Sequence, residues 1–300
     1  MKQPKYNPYV LLAIGVLSVS TSAIFVKLSS ASSGVIAFYR LFFSVAFMLP
    51  VFLWKFKGEL KFIKKRDWWL MSGAGIFLAF HFILWFESLR YTSVASSTVL
   101  VTIQPIFAFM GAFLFFKEKI SMKGLLSGLI AVAGSFIISW GDFKVSGMAL
   151  FGDILALIAC GLITAYLLVG QDVRRRVSLI TYTLLVYTAS TVTLLVYVLF
   201  SGQPLMGYPA GDWVYFILLA LIPTLLGHTL FNWSVRWISA TTISMAILLE
   251  PIGAAILAYF ILGEKIMATQ VIGGLIVIAG LCFFLIDERS AKTKQRKKSA

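Results

Sequence analysis

Apolar residues run through this chain in stretches of spanning length, parted by short polar joints. Such runs fall near residues 9–28, 34–54, 69–89, 93–116, 123–140, 148–169, 179–200, 213–236, 239–262 and 268–286, each long enough to cross a hydrocarbon layer of about 30 Å as a helix. Ten helices are therefore predicted. The fifth and sixth have the least defined ends, because Gly141 to Gly147 is a short, weakly polar joint.

One run orders the rest. Ser239 to Leu262 carries Glu250-Pro251 near its middle, roughly 17 Å along the helix at the helical rise. A carboxyl at bilayer mid-depth costs roughly 2.5 to 3.5 kcal/mol and normally faces a cavity or a partner. Pro251 lacks an N–H, so a kink and a freed carbonyl are expected beside it. Ser93 to Phe116 is a twin, with Gln104-Pro105 at the matching place. Gln104 and Glu250, Pro105 and Pro251, Glu118 and Glu264, Arg90 and Arg236, Ser93 and Ser239, Gly128 and Gly274, and Gly134 and Gly280 are each 146 residues apart. A single offset shared by so many pairs indicates an internal duplication.

Ten helices in two copies means five per copy, an odd number, so the second copy must lie upside down. The expected fold class is an all-α membrane protein of ten transmembrane helices arranged as two inverted five-helix repeats. The repeats are placed at residues 1–144 and 145–288, followed by a basic tail at 289–300. In such folds the substrate site lies at mid-depth on the repeat interface, among interrupted helices.

Composition and charge sharpen this picture. With 60% hydrophobic residues, 13% charged and a mean hydropathy of +0.92, the chain does not suit a soluble domain, which needs about 25% charge. With the N-terminus inside, 21 of the 26 Lys and Arg fall in inner segments and three in outer loops, a positive-inside bias that puts both termini in the cytoplasm of a cell membrane. The net charge of +14 then reflects topology and attraction to anionic lipid headgroups, and calls for no nucleic acid. The first run is too long for a signal peptide and is read as a retained span. Cys160 and Cys282 lie in apolar runs with no disulfide or metal spacing. Trp54, Trp68, Trp69, Trp213 and Trp237 fall at span ends, as an interfacial belt requires. Gly124 and Gly128, with Gly134, Gly274 and Gly280, imply close helix contact, within one subunit or across a homodimer. No phosphate loop, HExxH, CxxC or carboxylate cluster occurs, so an enzyme is not expected, nor a cofactor or a metal.

The duplicated five-helix unit, the Phe38-Tyr39-Arg40-Leu41 stretch, the prolines of the fourth and ninth helices followed by Glu-Lys, and the Gly-rich fifth and tenth helices resemble the EamA-type members of the drug/metabolite transporter superfamily. The resemblance runs to about Ile286. It implies a carrier with a central cavity lined by helices 1, 3, 4, 6, 8 and 9, working by alternating access and often exporting metabolites. The seventh helix has no counterpart of Arg40, so that arginine serves one half only.

Each polar residue within a span has a functional and a packing reading. Glu250 is expected as the site of proton coupling or of a substrate amine, with no fixed cation at similar depth. Gln104 cannot titrate and binds or bridges. His81, Trp85, Tyr166, His228 and Asn232 are candidates for cavity lining; His228 and Asn232 share a helix face. Pro223 should kink the eighth helix as Pro105 and Pro251 kink theirs. Lys27, Arg40 and Glu87 form a candidate outer gate in which Arg40 pairs with Glu87, the carboxylate nearest in depth. The function expected is a secondary, ATP-independent transporter of small organic metabolites, exporting amino acids or related compounds, with a proton as candidate coupling ion. A drug or organic-cation exporter and a non-transporting membrane sensor are the alternatives.

Overall fold

The computed structural model describes residue 4 and residues 6–92, 94–118, 120–140 and 147–299. The proposed repeat boundary at residues 144 and 145, together with Lys2, Lys5, Ser93, Lys119 and Lys144, lies outside the described residues, as do the side chains of the tail beyond Ser290.

Among the described residues ten helices follow in chain order: α1 (Pro8–Leu28), α2 (Ser33–Lys55), α3 (Lys65–Tyr91), α4 in two pieces (Val94–Thr102 and Gln104–Phe116), α5 (Met122–Ser139), α6 (Gly147–Val173), α7 (Leu179–Phe200), α8 (Ala210–Ser234), α9 (Ala240–Leu262) and α10 (Ala268–Ser299). Among the described residues nine have the length and apolar character of a span, and α5 is a shorter apolar helix. Among the described residues there is no strand. Large apolar side chains such as Phe115, Phe200 and Phe260 face outward, where hydrocarbon replaces water as the neighbour.

The halves relate by inversion, which is visible in how the helices pair. The first piece of α4 packs on the second piece of α9, and the second piece of α4 on the first piece of α9. Repeat equivalents therefore run in opposite directions. The pairing of α1 with α8 is matched by that of α6 with α3, while α2 packs on α7 and α5 on α10.

Between α5 and α10 the symmetry reaches single atoms. A Cβ on Gly134 would lie 2.8 Å from Gly273 O and Val277 N, and one on Gly280 would lie 2.8 Å from Ala131 N and 2.9 Å from Ser127 O. Adding 146 to 134, and subtracting it from 273 and 277, turns the first contact into the second. The glycines thus serve contact within the subunit, as Gly128 does by receiving the Phe109 ring.

The glutamates of the shared Glu-Lys pairs close helix ends. Lys117 (φ 53°) and Gly263 (φ 70°) are both left-handed C-caps, and Glu118 N donates to Ala112 O at 3.1 Å as Glu264 N donates to Ala258 O at 3.2 Å. Each bond reaches six residues back, one residue wider than the six-to-one bond of a Schellman ending. Gly263 takes the left-handed conformation without Cβ strain, whereas Lys117 adopts it against a cost of about 1 kcal/mol.

Three helices are interrupted near mid-depth. α4 breaks at Ile103 before Gln104-Pro105, and α9 breaks at Leu248-Leu249 before Glu250-Pro251. In α1 the break falls at Ser20-Thr21, where Ser20 Oγ bonds Val16 O at 2.9 Å and Thr21 Oγ1 bonds Ser18 O at 2.7 Å, hydroxyl back-bonds of the kind that bend helices. The kink expected at Pro223 takes a different form. Ala220–His228 is π-helical, and Thr224 Oγ1 and Thr229 Oγ1 donate to carbonyls five residues back, Leu219 O at 2.8 Å and Thr224 O at 3.2 Å. Proline removes one donor and the threonine hydroxyls satisfy the widened turns.

Candidate functional site

The breaks meet around a cavity of about 30 Å³, room for one or two waters and far below the 300 to 1,000 Å³ usual for a small-molecule site. Six helices line it: α1 through Val19 and Ser22, α3 through His81 and Trp85, α4 through Val101 and Gln104, α6 through Tyr166 and its neighbours, α8 through His228 and Phe231, and α9 through Ile247 and Glu250. Six of the residues singled out in the sequence, Glu250, Gln104, His81, Trp85, Tyr166 and His228, are brought together here. Asn232 stands one shell back, donating through Nδ2 to Tyr166 Oη.

The walls are mostly aromatic. His81 stacks on Trp85 with centroids 5.7 Å apart, and His228 meets Phe82 edge-on at 5.6 Å. His81 Nδ1 lies 3.0 Å from Ala159 O; because a carbonyl only accepts, Nδ1 carries a proton and Nε2 is left for the cavity. Among the described residues the carboxyl of Glu250, Gln104 Oε1 and Trp85 Nε1, all lining the cavity, lack an internal hydrogen-bond partner. A buried polar group normally finds a partner. Their convergence marks where a ligand or water has polar work to do.

Arg40 departs from expectation. It is fully buried and forms no pair with Glu87; its Nε donates to Thr224 Oγ1 and its Nη1 to Ser22 Oγ, both at 2.7 Å, and its guanidinium lies 4.1 Å from the Phe82 ring centre. Glu87 instead faces Arg90 at 3.9 Å, and Lys27 Nζ donates to Leu89 O at 2.7 Å, tying α1 to the end of α3. Depth counted along a helix gives height but not azimuth, and Arg40 faces the α1 and α8 breaks. The expected absence of a cation near Glu250 is corrected as well, since Arg40 lies within electrostatic range of it. Trp213 and Trp237 are also less peripheral than belt residues, Trp213 packing edge-on to Tyr39 at 4.9 Å.

Gln171, at the end of α6, carried no sequence signal because its partner at the 146 offset is Phe25. It is buried, accepts from Ala240 N at the start of α9 and donates through Nε2 to Glu118 Oε1 at 2.9 Å. One carboxamide thus latches α6, α4 and α9 below the cavity. Beside it, Arg176 bonds Asp67 at 2.7 Å and Asp172 at 2.9 Å, and these carboxylates, Asp172 foremost, hold its guanidinium above the ordinary arginine range. On the opposite side Ser30 and Asp212, Ser32 and Gln203, and Tyr39 and Leu205 O bridge α1 and α2 to α8 and its preceding loop.

Inverted five-helix repeats, interrupted equivalent helices and a small polar cavity at their junction define a membrane transporter. The EamA-like transporter family model matches residues 7–140 and 150–286, once per repeat, and the chain belongs to that family. An uncharacterized transporter of Archaeoglobus fulgidus is 24% identical over 92% of this chain and 95% of its own. The uncharacterized transporter YxxF of Bacillus subtilis is 26% identical over 78% and 76%, and the riboflavin transporter ImpX of Fusobacterium nucleatum is 25% identical over 61% and 64%. A solved structure superposes with a TM-score of 0.74 at 14% identity, over 94% of this chain and 99% of that one, a likeness of fold.

Proposed function

We propose that the protein is a secondary carrier that moves small organic metabolites by alternating access and exports amino acids or related compounds, with both termini in the cytoplasm. The observation that carries the reading is Glu250, a carboxyl at the break of α9 that faces the cavity with no ion pair or hydrogen bond among the described residues. At that depth an unpartnered carboxyl suits a proton or a substrate ammonium group. The inverted repeat supports the mechanism, because halves of opposite direction supply one seal on each side of a shared site. Two family-model matches support repeat units parted near residue 144, and the cation asymmetry supports the orientation.

Counterflow in proteoliposomes tests the reading. Vesicles preloaded with an unlabelled amino acid should accumulate the labelled one transiently, and protein-free vesicles should not. Absence of counterflow for any of a panel of amino acids and related amines would leave a sensor as the better description.

A second reading, an exporter of drugs or organic cations, is favoured by the rings of Trp85, Tyr166 and Phe231 beside Glu250. The name of the Fusobacterium relative, a riboflavin transporter, is compatible with a ring-bearing substrate. Competition of cationic dyes against labelled amino acid separates the readings, since only a shared site gives mutual inhibition.

A further inference from the structure

A second pocket is larger than the central cavity. A pocket of about 660 Å³ opens between the C-terminal end of α4, the start of α5, the α8–α9 connection and the end of α10, within the usual range for small-molecule sites. Its walls include Phe116, Trp237 and Phe284, and three carboxylates face it: Glu118, Asp287 and Glu288. The chain has only 12 acidic residues against 26 basic ones, so three acids around one pocket, with Lys117 the one lining cation among the described residues, form a local concentration of negative charge that favours cations.

Glu118 and Asp287 are held by neutral donors. Asp287 accepts from Ser121 Oγ, Glu118 from Gln171 Nε2 at 2.9 Å and Glu288 from Thr242 Oγ1 at 3.1 Å. Glu118 and Asp287 have no ion pair among the described residues. A separate observation points to a ligand. Thr241 is only 4% exposed, its hydroxyl has no partner among the described residues, and it lines the pocket; Trp237 Nε1 there is likewise unpartnered. We infer that this pocket is a second binding site, for an organic cation with an apolar or aromatic body, whose charge sits between Glu118 and Asp287 and whose body lies on Trp237 and Phe284.

The site is distinct from the Glu250 cavity and stands whether or not the central reading holds. It also touches the machinery, because Glu118 belongs both to the pocket and to the Gln171 latch.

The test uses the purified full chain in detergent and two probes of equal shape and opposite charge, tetraphenylphosphonium and tetraphenylborate. The phosphonium should bind saturably and the borate should not. The double variant Asp287→Asn and Glu288→Gln should weaken phosphonium binding roughly tenfold or more, the loss expected for charge-assisted contacts. In the wild-type protein, which sidesteps any folding defect, a benzophenone-bearing phosphonium should crosslink to residues 237–242 and 284–288. Equal binding of the borate, absence of saturable phosphonium binding, or crosslinks confined to residues 81–85 and 247–250 would each overturn the proposal.

Discussion

Arg40 donates through Nε to Thr224 Oγ1 at 2.7 Å, and the same hydroxyl donates to Leu219 O at 2.8 Å across the π-helical turns of α8. A buried guanidinium is therefore held by the hydroxyl that stabilises an irregular helix, and the two residues act as one unit. Thr224→Val and Arg40→Met should each lower stability, and their double variant should be less affected than the sum by about 1 to 3 kcal/mol. Arg40→Met with Glu87→Gln should add within about 0.5 kcal/mol. Unfolding in detergent measures both cycles. Simple additivity of the Arg40 and Thr224 variants would show that the bond carries no coupling.

Spans, duplication and inversion were legible because they rest on run length, one offset and an odd helix count. The break sites at Gln104-Pro105 and Glu250-Pro251 were legible for the same reason, since a polar-proline pair in an apolar run has few local explanations. Arg40 was misplaced because its partners Ser22 and Thr224 are neutral hydroxyls, whose 146-offset counterparts are Leu168 and Leu78. Charge patterning is blind to such partners. Pro223 announced an irregularity but not its kind, which depends on hydroxyls five residues from the carbonyls they reach. The acidic pocket was hidden because Glu118, Asp287 and Trp237 are far apart in sequence and meet only when α4, α8 and α10 converge.

Backbone-to-backbone closeness of α5 and α10 gives a symmetric expectation. A methyl group at Gly134 would press on Gly273 O and Val277 N, and one at Gly280 on Ala131 N and Ser127 O. Backbone cannot yield as a flexible side chain can, so Gly134→Ala and Gly280→Ala should each cost about 1 to 3 kcal/mol. Gly274→Ala, whose Cβ would meet only Ile252 at 3.5 Å, should be near neutral. Melting temperatures of the three variants check this, and an unchanged value for Gly134→Ala would contradict the contact.

Gln171 joins the ends of α4 and α6 to the start of α9, so removing its carboxamide should favour opening on that side. Gln171→Ala should raise, by about tenfold, the rate at which a cavity reporter such as Leu167→Cys reacts with a membrane-impermeant maleimide, the change expected for about 1.4 kcal/mol lost from the closed state. Labelling from the opposite side should fall or stay constant. A Gln171→Ala protein that labels at the same rate from both sides would assign the carboxamide to helix packing alone.

Glu250 and Gln104 occupy equivalent places in the two repeats, each at the start of a helix piece followed by proline and each lining the cavity, yet only one of them can change charge. That asymmetry suggests a division of labour in which Gln104 stabilises its kinked helix and Glu250 couples the conformational cycle to a proton or a substrate amine. Glu250→Gln keeps the shape and one acceptor but removes the charge, so the variant should fold, retain its melting temperature within a few degrees and lose net transport, with exchange slow and insensitive to pH. Arg40, held in electrostatic range, should be dispensable for that loss: Arg40→Met should change the pH dependence of transport without making it pH-insensitive. Transport by Glu250→Gln at the wild-type rate and with the wild-type pH profile would reduce Glu250 to a hydrogen-bonding group. Coupling would then pass to the histidines. Of these, His81 is the better placed to exchange a proton, because its Nδ1 is engaged by Ala159 O and only its Nε2 is left to face the cavity.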